Sequence, residues 1–129
     1  MPGMTGRDPA RRVLGTLVDS YNRKDLEAMS RLYADDIRMW STLSGEGQGK
    51  DYALAHVRRL FEILPDERMT AAVVVTDGQT VVVELTSVGT GADGRPYRFS
   101  FTEVIELDGD RIAAIHTYID PASVSAITG

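Results

Sequence analysis

The chain has 129 residues, 43% of them hydrophobic, and a formal net charge of −5. This is enough for one domain with its own core. Lys and Arg form no cluster, so we expect neither nucleic acid nor an anionic membrane as a partner. Cys is absent, which excludes disulfides and thiol catalysis and fits a cytoplasmic location. No stretch approaches the about 18 apolar residues of a membrane span.

The first half of the chain carries helical signals. Residues 1–8 predict a flexible leader, and residues 9–129 predict a single domain. Apolar residues recur at helical spacing in three segments, over about Pro9–Arg23, Asp25–Tyr33 and Asp51–Leu64. Between the second and third helices, residues 37–42 alternate as a short strand. A glycine-rich stretch follows at 45–49; its spacing does not match a phosphate-binding pattern, and it predicts a flexible loop.

The second half predicts an antiparallel meander of four strands, over about Met69–Thr76, Thr80–Val88, Arg95–Leu107 and Arg111–Ile119. Asp-Gly pairs at 77–78, 93–94 and 108–109 supply the turns between them. Helices followed by a long sheet indicate an α+β fold, in which a curved antiparallel sheet packs against the three N-terminal helices.

One strand carries a carboxylate on its apolar face. In the strand that begins at Arg95, the odd face is apolar or aromatic except for Glu103, and the even face is mostly polar. An ionised Glu in an apolar wall must find a donor, stay protonated or face a polar pocket. Such carboxylates are candidates for acid–base chemistry. The alternatives are a purely structural hydrogen bond or a bulge that turns Glu103 outward.

A set of short motifs follows the same order as in a known superfamily: Tyr21-Asn22-Arg23-Lys24-Asp25-Leu26-Glu27-Ala28, Leu32-Tyr33-Ala34-Asp35-Asp36, Gly49, Asp108-Gly109-Asp110-Arg111-Ile112 and Tyr118-Ile119-Asp120. The chain resembles the nuclear transport factor 2-like superfamily from Arg11 to Pro121. That superfamily includes ketosteroid isomerase, limonene epoxide hydrolase and the SnoaL-like polyketide cyclases. The resemblance implies a cone-shaped domain with one central pocket. It also implies that the odd residues of the last strand, 113 to 119, point inward.

Only some of the site residues of ketosteroid isomerase correspond to residues of similar chemistry in this chain. The aspartate that donates to the substrate oxyanion corresponds to Glu103, its supporting tyrosine to Tyr33, and an aromatic pocket residue to His56. The catalytic base, however, corresponds to Ser41 and the oxyanion tyrosine to Leu17. Steroid isomerisation by that mechanism is therefore not expected.

Fewer site residues correspond for limonene epoxide hydrolase and the SnoaL-like cyclases. The Arg and two Asp that activate water in limonene epoxide hydrolase correspond to Leu85, Ser87 and Thr117, so epoxide hydrolysis by that triad is not expected. The late acid–base aspartate of the SnoaL-like cyclases corresponds to Asp120. Because Asp120 precedes Pro121, it is equally a candidate for capping the strand exit.

The predicted function is a pocket for a small apolar molecule that contains a carbonyl group. Candidate catalytic residues are Glu103, His56 and Asp120, without a cofactor or metal, because proton transfer needs only a poised acid and base. For His56 the alternative is a partly exposed helix residue. Candidate substrate-binding residues are Tyr21, Tyr33, Met39, Ser41, Phe61, Leu85, Phe99, Phe101, Thr117 and Ile119.

Two further expectations concern the alternative function and the oligomeric state. A non-catalytic ligand-binding domain or a dimeric scaffold is the alternative to an isomerase or cyclase. We also expect a homodimer through the outer face of the sheet, where apolar and aromatic residues collect: Trp40, Val82, Val88, Val104, His116 and Tyr118.

Overall fold

The computed structural model describes residues 8–128, which form four helices and six strands. The helices are α1 (Pro9–Asn22), α2 (Leu26–Leu32), α3 (Lys50–Ile63) and α4 (Pro121–Thr128). The strands are β1 (Tyr33–Ser41), β2 (Gly45–Gln48), β3 (Arg68–Asp77), β4 (Thr80–Thr90), β5 (Pro96–Asp108) and β6 (Arg111–Tyr118). The predicted leader over residues 1–7 lies outside the described residues.

The six strands form one sheet in the order β2-β1-β6-β5-β4-β3. Strands β3 to β6 are the predicted antiparallel meander, and β2 pairs antiparallel with β1. The predicted α+β class, with the helices packed on a sheet, is confirmed. The sheet is mixed rather than wholly antiparallel, because β1 lies parallel to β6. Helix α3 and strands β3 to β5 separate these two strands in sequence, which leaves enough chain for a parallel pairing.

Helix α1 is attached to β3 at both ends. Asp8 caps the helix, since its Oδ1 accepts hydrogen bonds from the backbone N–H groups of Ala10 and Arg11. Its Oδ2 accepts a 2.8 Å bond from Thr76 on β3. At the other end, the Asn22 amide pairs with both backbone groups of Met69, at 2.8 Å each. Asp8, which the predicted leader included, is therefore the N-cap residue of α1.

The apolar face of α1 covers the inner face of the sheet. The buried core comes from α1, α2, α3 and alternate strand positions: Val13, Leu14, Leu17, Met29, Ile37, Val57, Val81, Val83, Ile105 and Ile112. In β5 the alternation holds as predicted, with Phe101, Ile105 and Leu107 buried and Ser100 and Glu106 exposed.

In strand β6, the side chains that point inward are not all the odd-numbered ones that were predicted from the resemblance. Ile105 pairs with Ile115 and Leu107 with Ile112, so the pairing shifts by one residue within β6. The buried residue is Ile112, not Ala113 as predicted, because a bulge changes the side-chain face. Beyond the bulge, Ile115, Thr117 and Ile119 do point inward and line a cavity.

The sequence predicted a flexible loop over residues 45–49, but most of this stretch is a strand. Gly45–Gln48 pairs with β1 as strand β2. At Gly47 the ring of Tyr52 lies close to the backbone, so a larger residue there would have to displace that exposed ring. Within residues 8–128, no helix is long and apolar enough to cross a membrane.

Candidate functional site

A cavity of about 570 Å³ lies between the inner face of the sheet and the helices. Its walls are mostly apolar and come from the first three helices and from strands β1, β3, β4, β5 and β6. Residues of α4 (Val124, Ile127 and Thr128) complete the lining. A backbone bond of 2.8 Å from Ala92 N–H to the Ile127 carbonyl attaches α4 to the loop between β4 and β5. Such a cavity can enclose an organic molecule of moderate size.

Glu103 lies on the inner face of β5 and lines this cavity. Its strand neighbours are Val83 on β4 and Thr117 on β6. Thr117 Oγ1 donates a 3.0 Å hydrogen bond to Glu103 Oε2, and no other side chain among residues 8–128 donates to Oε1. Burial raises the pKa of Glu103 to about 7, while the hydrogen bond from Thr117 lowers it. Both the acid and the carboxylate are therefore populated near neutral pH.

His56 lines the same cavity from α3. Its ring is stacked on that of Tyr52, with centroids 6.4 Å apart and planes 7° from parallel. Burial lowers the pKa of His56, so that its imidazole is neutral at pH 7 and can accept a proton. Tyr33 is almost fully buried and also lines the cavity; burial and the nearby Glu103 raise the pKa of its phenol.

The cavity brings together most of the predicted binding residues: Tyr21, Tyr33, Met39, Ser41, Leu85, Phe99, Phe101, Thr117 and Ile119. Phe61 does not line it. This ring instead packs edge-on against Tyr21, with centroids 5.1 Å apart, and supports the lining from behind.

Asp120 lies outside the cavity lining and is exposed. Its Oδ1 accepts a 3.0 Å bond from the Ala122 N–H, and its carbonyl accepts from the Ser123 N–H. The geometry therefore gives Asp120 the capping role at the start of α4, not an acid–base role in the cavity.

Sequence reasoning missed a second carboxylate, Glu67, which lines the cavity and is only 5% exposed. It receives hydrogen bonds from Tyr21 and Ser87. Glu67 lies between α3 and β3, directly after Pro65 and Asp66, where no strand or helix periodicity shows which way a side chain points. No signal in the sequence separates it from exposed loop carboxylates.

Within the described ranges, no three His, Cys, Asp or Glu side chains converge as ligands. What the arrangement supplies is a proton donor or acceptor at Glu103 and a neutral base at His56 in apolar surroundings.

The sequence from residue 14 to residue 115 matches the model of the SnoaL-like domain family. The chain therefore belongs to this family, and the resemblance to the nuclear transport factor 2-like superfamily is confirmed. No curated protein matches the sequence.

Solved structures share the fold at low sequence identity. A nuclear transport factor 2-like protein of unknown function from Burkholderia pseudomallei K96243 is 20% identical, with a TM-score of 0.85 over 94% of this chain and 98% of that one. A candidate polyketide cyclase from Xanthomonas campestris pv. campestris is 18% identical, with a TM-score of 0.83 over 95% and 98%. A candidate isomerase from Bacillus subtilis is 21% identical, with a TM-score of 0.83 over 93% and 92%. At these identities the likeness shows the fold alone.

Proposed function

We propose that this protein is a cofactor-free acid–base enzyme of isomerase or cyclase type that acts on a small, apolar, carbonyl-containing metabolite in the cytoplasm. The observation that carries the proposal is Glu103, a carboxyl group with a pKa of about 7 on the wall of an apolar cavity. A group that titrates near the working pH exchanges protons most effectively in both directions. The names of the structural neighbours, a polyketide cyclase and an isomerase, agree with this class.

The hydrogen bond from Thr117 determines how Glu103 would act. Because Thr117 occupies Oε2, a proton on Glu103 resides on Oε1, which is the oxygen left for a ligand. From Oε1, protonated Glu103 can donate a hydrogen bond to a carbonyl oxygen of the ligand. This bond would stabilise the enol or enolate that forms when the carbon next to the carbonyl loses a proton.

His56 would accept that proton from carbon. Its imidazole is neutral at pH 7 because burial disfavours the charged form, so a lone pair is available. Both side chains line one cavity, so one bound molecule could place its carbonyl oxygen at Glu103 and the adjacent carbon at His56. The mostly apolar lining lowers the local dielectric constant, and this strengthens the polarisation of the carbonyl by Glu103.

The proposal is tested by following hydrogen–deuterium exchange next to the carbonyl of apolar cyclic ketones, such as α-tetralone, by NMR in D₂O at neutral pH. The wild-type protein should accelerate exchange, and Glu103→Gln should slow it about 10²–10⁴-fold, since Gln cannot transfer a proton. Glu84→Gln is the matched control, because Glu84 lies on the adjacent strand with its side chain exposed.

Two results would contradict the proposed chemistry. One is exchange in Glu103→Gln at the wild-type rate. The other is a wild-type protein that binds ketones without accelerating exchange, which favours the second candidate, a non-catalytic ligand-binding domain. The size and apolar lining of the cavity support ligand binding in either case.

We also propose that the protein is a homodimer through the outer face of the sheet. Strand register aligns one row of residues across five strands of this face: Val75, Val82, Val104, His116 and Trp40. Val75 is 57% exposed, Val82 39% and the adjacent Val73 53%. A row of this kind is more apolar than a solvated sheet face requires.

A further inference from the structure

Glu67 is a buried carboxylate that the proposed mechanism does not use. It is only 5% exposed, and the exposed part belongs to the cavity lining. Tyr21 Oη donates to its Oε1 and Ser87 Oγ donates to its Oε2, both at 2.5 Å. No ion pair within residues 8–128 includes Glu67. Hydroxyl groups alone therefore offset the cost of burying it.

The direction of each proton in this cluster follows from counting donors. The single hydroxyl proton of Ser87 is given to Glu67, so in the 3.2 Å contact between Ser87 and Tyr97 the tyrosine is the donor. The Tyr21 proton is also directed at Glu67. All three hydroxyl protons are thus used, and the cluster offers the cavity only lone pairs, on Tyr21 Oη and on the Glu67 oxygens.

The cluster and Glu103 lie at different ends of one wall. Ser87, which binds Glu67, is four residues along β4 from Val83, the strand partner of Glu103. Four residues of a strand span about 13 Å between Cα atoms. The side chains themselves come closer than this, since the pKa of Tyr21 is raised mainly by burial but also by the charge of Glu103. Between them the wall is formed by the buried pair Leu85 and Phe101. On this part of the sheet, an apolar pair therefore separates the Glu67 cluster from Glu103.

The two ends have opposite hydrogen-bonding character. Protonated Glu103 is a donor toward the cavity, whereas the cluster of Glu67 and Tyr21 can only accept. Each Glu67 oxygen already accepts one hydrogen bond, but the remaining lone pairs of Glu67 and Tyr21 face the cavity. A ligand that displaces water from these lone pairs without offering a donor loses their hydrogen bonds, so this end favours ligands that carry a hydrogen-bond donor.

We propose that Glu67 and Tyr21 form a second polar subsite, which accepts a hydrogen bond from a hydroxyl group of the ligand while Glu103 binds a carbonyl at the other end. The inference rests on the proposed function, because it assumes that the carbonyl lies at Glu103. It narrows the ligand class to elongated apolar hydroxyketones with the two oxygens at opposite ends.

Three probes that share the 4-acetylbiphenyl skeleton test the subsite by titration calorimetry at pH 6, where Glu103 is mostly protonated. They are 4-acetyl-4′-hydroxybiphenyl, its 4′-methoxy analogue and unsubstituted 4-acetylbiphenyl. The hydroxyl compound should bind the wild-type protein about tenfold more tightly than either other probe, as expected for one buried hydrogen bond. Nuclear Overhauser contacts should place its hydroxylated ring near Tyr21 and its acetyl methyl near Thr117.

Variants separate the two ends. Glu67→Gln, which keeps the shape of the side chain but presents an amide, should remove the preference for the hydroxyl compound. Glu103→Gln is the matched control: it should weaken binding of all three ketones and leave that preference unchanged. Because the wild-type comparison needs no variant, a folding defect in Glu67→Gln does not affect the test.

The outcomes are distinct. Wild-type binding of 4-acetylbiphenyl without preference for the hydroxyl compound overturns the subsite and leaves the proposed function standing. A bound probe with its acetyl group at Tyr21, or a full hydroxyl preference in folded Glu67→Gln, also overturns the subsite. Failure of all three probes to bind up to their solubility overturns both proposals.

Discussion

Replacement of Glu103 by Gln has a predictable effect on stability that requires no substrate. The ordinary pKa of the glutamate side chain is 4.5, and burial raises that of Glu103 to about 7 in the folded chain. Between these values the unfolded chain has released the proton while the folded chain still holds it. The free energy of unfolding therefore falls as pH rises through this window.

The size of the effect follows from the two pKa values. At about 1.4 kcal/mol per pH unit, the window from 4.5 to about 7 corresponds to about 3 kcal/mol of stability lost by the time pH exceeds both. Gln at this position is neutral at every pH and keeps an oxygen that can accept from Thr117. Glu103→Gln should therefore have the stability of the wild type near pH 4.5 and exceed it by about 3 kcal/mol at pH 8.

Urea unfolding followed by circular dichroism at pH 4.5, 6 and 8 measures this difference. Other titrating groups contribute equally to both proteins and cancel in the comparison. Glu84→Gln, which removes a carboxylate from the outer face of the sheet, should show no such dependence on pH. A difference between Glu103→Gln and wild type that is the same at all three pH values would refute the argument that burial controls this carboxyl group.

Two further predictions concern the hydrogen bond to Glu103 and the outer face of the sheet. Thr117→Val removes the donor that favours the carboxylate, so the pKa of Glu103 should rise by about one unit further, as followed by carbon-13 NMR titration of its carboxyl group; an unchanged or lower value would contradict this role. Val82→Asp places a charge in the apolar row of the outer face, so sedimentation at micromolar concentration should change from twice the 14.1 kDa chain mass for wild type to a single chain; a wild-type monomer would rule out the proposed dimer.

The sequence was informative wherever side chains repeat with a fixed period. Alternation in β5 placed Glu103 on the inner face, and Asp-Gly pairs marked the three hairpin turns, where Gly78, Gly94 and Gly109 adopt φ between 61° and 79°. Local rules of this kind need only neighbouring residues, and a single glycine in the left-handed region is enough to reverse a chain.

Features that depend on distant partners were not predictable in this way. The glycine-rich stretch forms β2 only because β1 offers an unpaired edge, and α4 is held by a contact with the loop after β4. Ile112 occupies the inner face of the sheet in place of Ala113 because of a bulge in β6, which the sequence pattern does not indicate. Glu67 acquires its burial from Tyr21 and Ser87, which are 46 and 20 residues away in sequence.

The attachment of α1 to β3 at both ends has a consequence for selectivity. Because Asp8 and Asn22 fix the helix to the edge strand, we expect the wall that carries Tyr21 to keep its position when a ligand binds. A cavity with a fixed wall selects molecules by shape at the moment of encounter, and little ordering of the protein accompanies binding. Changes of ligand preference between relatives should then arise from exchange of individual lining side chains, with the scaffold left as it is.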